Sequence, residues 1–246
     1  MLPGQAGDRD MHVSLSEIQT TVCKAALAVG VPLGLGEDAG WAARHMMLIG
    51  FGSFAVFVDA LDAIEGGRST GFDADRAIDG KFGPEPTGLL LSAIRAGPSA
   101  CDLVTSTAAT DIKFSPITLT AVDVPSVILF EILAATVDMD QGQCVTWNTG
   151  GRGKFEAICW RGSLVLIKGT PEDLLLPDPA DITMHLVARK PQERGMIVNQ
   201  RIQREAVEID AATWHRVTIY ADRLLVVATE TSRLIGAGAG GVIDVD

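Results

Sequence analysis

The sequence is poor in the features that mark a secreted, membrane-bound or metal-dependent protein. It holds four cysteines, Cys23, Cys101, Cys144 and Cys159, and no two form a Cys-x-x-Cys pair. Their spacing matches neither a zinc site nor the framework of a small disulfide-rich domain. The most apolar stretch, Leu48 to Val58, stops at Asp59 and is too short to cross a bilayer. The opening residues lack the basic flank and apolar run of a secretory signal, so a cytoplasmic location is the default expectation. Positive charge is scarce, with 20 Lys and Arg against 31 Asp and Glu, a net charge of -11. Such a field repels nucleic acid and anionic lipid. Basic clusters at Arg189–Arg194 and Arg201–Arg204 are diluted by glutamate. The four histidines, His12, His45, His185 and His215, show no metal-binding spacing. We therefore expect no metal, no cofactor, no nucleic acid and no membrane partner.

What is present fits a chain with a substantial core. Its 246 residues, 47 % of them apolar, make one large domain or two modest ones. We expect a flexible arm over 1–12, a helical portion over 13–97 and a strand-rich α+β portion over 98–246 packed against it. The organised sequence begins just after Met11, which makes Met11 a candidate natural start. Ser14 with Glu17 three residues on has the spacing of a capping box, and Leu15, Ile18, Val22 and Val29 follow at helical intervals. Gly30 and Pro32 should end that helix. A second helix is expected over 37–49, with Ala39, Gly40, Ala42 and Ala43 small enough for close approach. A third is expected over 53–65, with Asp59 and Asp62 facing solvent, unless 37–65 is one bent helix. A short helical pattern over 86–96 should stop at Gly97-Pro98.

Beyond about residue 101, branched and aromatic residues crowd into short runs. We read strands at Ile117–Val122, Ser126–Leu133, Cys144–Trp147, Phe155–Trp160, Leu164–Ile167 and Ile182–Ala188, with a hairpin turn at Arg161-Gly162-Ser163. Val198–Val207 reads as an edge strand, Asp210 as the cap of a late helix, and Leu224–Thr229 as a last strand. No repeat and no regular βα alternation is visible. The fold class is α+β: a helical amino-terminal portion, then a predominantly antiparallel or mixed β portion with one late helix.

Three segments are candidates for chemistry. The run Arg233 to Gly241 alternates glycine and alanine, including Gly238 and Gly240. Bare amides there can cradle an anion and Arg233 can grip it, although a structural or interface turn is the alternative. The run lacks the dinucleotide and phosphate-loop fingerprints. The loop Asn148 to Lys154 brings Gly150, Gly151, Arg152 and Lys154 together between two strands, either as an anion site or as a solvated turn. Thr105, Ser106 and Thr107 lie close in sequence to Thr110, Asp111 and Lys113. Asp111 or Glu230 is a candidate base. The pairs Asp138/Asp140 and Asp244/Asp246 are too sparse to assign a divalent cation. Cys23 and Cys159 read as small core residues.

The segments Ser14-Leu-Ser-Glu-Ile-Gln19, Gly34-Leu-Gly-Glu-Asp-Ala-Gly-Trp41 and Ser232-Arg-Leu-Ile-Gly-Ala-Gly-Ala-Gly240 resemble the bacterial family called domain of unknown function 3726. The likeness would cover nearly all the chain from residue 12. It implies a bacterial protein often encoded beside small-molecule metabolic enzymes, and it transfers no catalytic residue. Two functions follow as expectations. One is a small-molecule metabolic enzyme, or the small subunit of one, acting on an anionic metabolite. The other is a non-catalytic assembly or binding subunit, a homo-oligomer or the partner of an enzyme.

Overall fold

Ser14 does two jobs. It closes strand β1 (Met11–Ser14), and its hydroxyl accepts the Glu17 amide at 3.1 Å to start α1 (Leu15–Ala28). The computed structural model describes residues 10–51, 53–71, 80–109, 116–149, 151, 153–188, 195–198 and 206–224. Met11 and His12, assigned to the arm from sequence, therefore lie in a strand, which pairs antiparallel with β11 (Ala206–Ile209).

Helix α2 (Leu33–Leu48) begins one turn earlier than its pattern suggested, because Pro32 sits at the cap, where a missing amide proton costs nothing. It packs closely on α1 through small residues. A methyl on Gly40 would lie 2.5 Å from the Gln19 carbonyl oxygen. The chain then breaks at Gly50, whose φ of 77° favours glycine, so α2 and α3 (Ala55–Glu65) are separate helices. Asp62 is half-buried rather than simply solvated. It accepts a hydrogen bond from the Tyr220 hydroxyl at 2.6 Å and pairs with Arg216, tying α3 to α6 (Ala211–Asp222). Asp210 caps α6 by accepting the Thr213 amide, as its position implied.

Two expectations fail at the centre of the molecule. Residues 86–96 are not a helix ending at proline: after the short strand β4 (Leu90–Leu91), helix α4 (Ala93–Ala109) runs straight through Pro98. Its packing outweighs the lost hydrogen bond. Ile94, Ala96, Ala100, Cys101 and Val104 are buried, and the Asp123 carboxylate accepts the Ala93 amide at 2.8 Å. Ser126–Leu133 is not a strand but most of α5 (Pro125–Ala135), with every residue from Pro125 to Leu133 buried. An apolar run without polar alternation carries no period to tell a buried helix from a buried strand.

The remaining strands form one mixed sheet. These are β2 (Ser69–Thr70), β3 (Lys81–Phe82), β5 (Ile117–Val122), β6 (Gly142–Asn148), β7 (Lys154–Trp160), β8 (Ser163–Lys168), β9 (Ala180–Val187) and β10 (Met196–Val198). The order is β10-β8-β7-β6-β9-β5-β4-β2, with β3 also on β5. Strands β5 to β10 pair antiparallel, and the short β2, β3 and β4 join in parallel. The β7–β8 turn is the expected hairpin, with positive φ at both Arg161 and Gly162. Helix α5 packs between α2 and α4 and against β6 and β7, so its apolar surface is covered all round. The fold is α+β, with helices first, a mixed sheet and a late helix.

Candidate functional site

Helix α4 positions the features best suited to bind a ligand. Arg95, Ser99, Asp102 and Ser106 recur at intervals of four, three and four, which places them along one stripe. That stripe forms a wall of a 680 Å³ cleft closed by Gly30, Pro32, Leu35 and Gly71. Among the described residues the Arg95 guanidinium, with five N–H donors, makes one hydrogen bond. One terminal nitrogen donates to the Gly30 carbonyl at 3.3 Å, and the buried Nε has no partner. Among the described residues no carboxylate forms an ion pair with Arg95. A guanidinium held in this way presents donors to a carboxylate, sulfonate or phosphate.

The adjoining stripe of α4, through Pro98, Cys101 and Asp102, lines a second cleft of 550 Å³. Asp102 belongs to both. The opposite wall comes from Asp38, Trp41 and His45 on α2, and the floor from Glu131 on α5. Glu131 is only 4 % exposed, and neither carboxylate oxygen has a hydrogen-bond partner. It lies against Gly97, where a methyl group would collide with its carboxylate. Burial, reinforced by Asp38 and Asp123, holds its carboxyl well above the usual range. The Asp123 carboxyl is pushed up to about 6 by burial, opposed by the hydrogen bonds it accepts from the Ala93 and Val124 amides.

The thiols are poor nucleophiles. Burial raises Cys101 and Cys159 and pushes Cys144 up to about 11, so the reactive thiolate is suppressed. The Cys159 thiol donates to the Leu129 carbonyl at 3.6 Å, in keeping with the core position read from its strand. Thr105 is bound on both sides, donating to the Cys101 carbonyl at 2.8 Å and accepting from Gln143 Nε2 at 3.3 Å. Ser106, beside it, lines the Arg95 cleft and donates to the Leu103 carbonyl at 3.1 Å.

Most residues singled out from sequence fall elsewhere. Asp111, Gly150, Arg152, Glu230, Arg233, Gly238 and Gly240 lie outside the described residues, as do Thr110, Lys113 and the strand expected at Leu224–Thr229 beyond Leu224 itself. Gly151 is exposed in the β6–β7 connection, and Lys154 at the start of β7 pairs with Glu156 at 3.5 Å. Lys154 is opposite Asn148, whereas Gln143 is the β6 residue that touches α4. Five residues of strand separate the two, about 17 Å, so Lys154 does not reach the α4 clefts. Arg95, Ser99, Asp102, Asp38 and Glu131 were not picked out from sequence. One signal for them was there: Glu131 is a lone acid in the apolar run Val127-Ile-Leu-Phe-Glu-Ile-Leu133.

Residues 13–80 match the family model described as Protein of unknown function (DUF3726), which supports placing the protein in that family. The match holds the first two of the three segments that carry the resemblance. No curated protein matches the sequence. Among solved structures, the sulfolactate dehydrogenase of Methanocaldococcus jannaschii has a TM-score of 0.55 at 10 % identity, over 87 % of this chain and 97 % of that one. The malate dehydrogenase of Entamoeba histolytica has a TM-score of 0.42 at 13 % identity, over 64 % of this chain and 45 % of that one. That of Pyrococcus horikoshii OT3 has a TM-score of 0.46 at 14 % identity, over 63 % and 48 %. At 10 % identity the sulfolactate dehydrogenase shows a shared fold and no more. The two malate dehydrogenases, with lower scores, carry no argument.

Proposed function

We propose that the protein is a small-molecule metabolic enzyme, or the small subunit of one, that binds an anionic metabolite in the α4 cleft. The observation that carries this reading is Arg95: a cation with an unpaired buried nitrogen and no carboxylate partner among the described residues, in a chain of net charge -11. Ser99 lines the same 680 Å³ cleft and offers a hydroxyl to the anion. The sulfolactate dehydrogenase that shares the fold acts, by its name, on a small anion, which suits a cleft of this size with Arg95 on its wall. Lys154, which does not reach that cleft, is proposed with Gly150, Gly151 and Arg152 as a separate anion contact on the β6–β7 loop; Arg233, Gly238 and Gly240 are proposed as further anion contacts, and Glu230 or Asp111 as a base.

The test is calorimetric titration with sulfolactate, malate and a panel of other 2-hydroxy and amino acids, using the wild type, Arg95→Ala and Arg233→Ala. Saturable binding that weakens about tenfold or more in Arg95→Ala is the expected result, as for loss of a charged hydrogen-bonding partner. Affinity unchanged in that variant would remove Arg95 from the site, and the same outcome in Arg233→Ala would remove Arg233.

An assembly role is the second reading. Strand β10 lies at the end of the sheet order, and Met196 and Ile197 on it are 50 % and 57 % exposed. An apolar sheet edge is a surface on which another strand can pair.

A further inference from the structure

We infer that the second α4 cleft is a separate binding site for a small organic cation, a primary or methylated amine, seated over Glu131. Three carboxylates line it besides Glu131: Asp38 from α2, Asp102 from α4 and Asp138 from the turn after α5. These three are exposed at the rim, whereas Glu131 is the buried floor. An acidic rim alone would be a solvated surface. What sets this one apart is the floor: Glu131 lines the 550 Å³ space, and both of its oxygens are buried without a hydrogen-bond partner. A buried polar group left unsatisfied costs free energy, and a donor arriving from the cleft would satisfy it.

The chemistry favours an organic cation over a metal ion. Among the described residues no three His, Cys, Asp or Glu side chains converge at metal distances. The carboxylates are spread over the walls of a space sized for a molecule. Trp41, also on the wall, is already a cation acceptor: the Arg44 guanidinium stacks 5.4 Å from its ring centroid. Arg44 itself is tied to Gln19 on α1 at 3.3 Å and does not line the cleft. Among the described residues, the ionisable groups facing Glu131 or lining its cleft are Asp38 and His45 from α2, Cys101 and Asp102 from α4, Asp123 before α5 and Asp138 after it. None of these is a fixed cation. An incoming ammonium would thus be the main positive charge beside Glu131, and it would favour loss of the Glu131 proton to solvent.

The test uses calorimetry of the full chain with putrescine and with choline, with magnesium chloride and n-butyrate as controls at matched ionic strength. We expect saturable one-to-one binding of at least one amine. It should weaken about tenfold or more in Asp38→Asn and in Glu131→Gln, and persist in Arg95→Ala. Amine binding should release protons in the wild type and not in Glu131→Gln, and affinity should rise with pH. Asp38 and Asp102 are exposed, so Asp38→Asn and Asp102→Asn test the site even if Glu131→Gln folds poorly. No saturable amine binding, affinity undiminished in these variants, or equal binding of magnesium at the same site would overturn the proposal. Loss of anion binding in Arg95→Ala with amine binding intact would leave the two clefts as independent sites.

Discussion

At the scale of single residues, Glu131 and Gly97 are one unit. The carboxyl group occupies the space that any side chain at position 97 would fill. Glu131 sits among buried residues of α5, so making room for a side chain at 97 means displacing its carboxyl toward the adjoining cleft. Gly97→Ala should therefore destabilise the fold by about 1–3 kcal/mol, the usual cost of overpacking. The variant carrying both Gly97→Ala and Glu131→Ala should be more stable than the sum of the single changes by about 1 kcal/mol or more, read from urea unfolding. Additive single and double variants would mean that the two side chains do not share this space. The same carboxyl sets a pH dependence. Asp123, at about 6, and Glu131, held higher than its usual range, both bind a proton more tightly in the folded state than when unfolded. Their contribution is fully present at acid pH and lost as pH rises, for Asp123 from about 4 to about 6 and for Glu131 above its usual range. Glu131→Gln removes one of these titrations. Its urea midpoint relative to wild type should therefore improve between pH 5 and pH 8, and a constant difference would refute the burial argument. The one sequence signal, a lone glutamate in the apolar run Val127–Leu133, marks Glu131 as unusual but says nothing of whether a partner waits across the core.

At the scale of elements, legibility followed local chemistry. The Ser14 and Asp210 caps, the break at Gly50 and the hairpin at Arg161-Gly162 each rest on neighbours a few residues apart, and each was readable. The two failures, α4 through Pro98 and α5 through Val127–Leu133, are elements whose conformation is set by what surrounds them. Proline is a breaker only when nothing outside the helix compensates, and a run buried all round carries no amphipathic period. The small-residue face of α2 was readable as a close contact, and it can be tested. Gly40→Ala would push a methyl against the backbone oxygen of Gln19, an atom that cannot move without shifting α1. A loss of about 2 kcal/mol is expected, against a slight gain in helix propensity, and the thermal midpoint measures it. An unchanged or higher midpoint would mean that the α1–α2 contact is looser than the structure shows.

At the scale of the whole molecule, the sheet and the helices share a continuous set of buried side chains, from Ile18 and Val22 through Phe130 to Phe155 and Met184. The α+β order of elements was readable because the change from helical to strand-like runs is a property of long segments. The site was not, since the α1–α2 turn, α2, α4 and α5 meet at the clefts from segments far apart in the chain. The assembly reading belongs at this scale too. If β10 is an interface, the wild type should show a mass in solution above that of one chain, and Ile197→Lys should return it toward the monomer. Light scattering distinguishes these outcomes, and a monomeric wild type would discard the reading.

The pairing of β1 with β11 has a consequence for how the protein is made. Residues 11–14 emerge from a ribosome long before residues 206–209, and α1 likewise waits for α6, its neighbour across the helical layer. A growing chain can therefore close α1 on α2 early, yet the flank that Trp214 and Val217 will cover stays wet until α6 is synthesised. During that interval, association with chaperones or with other nascent chains should centre on this flank of the helical layer.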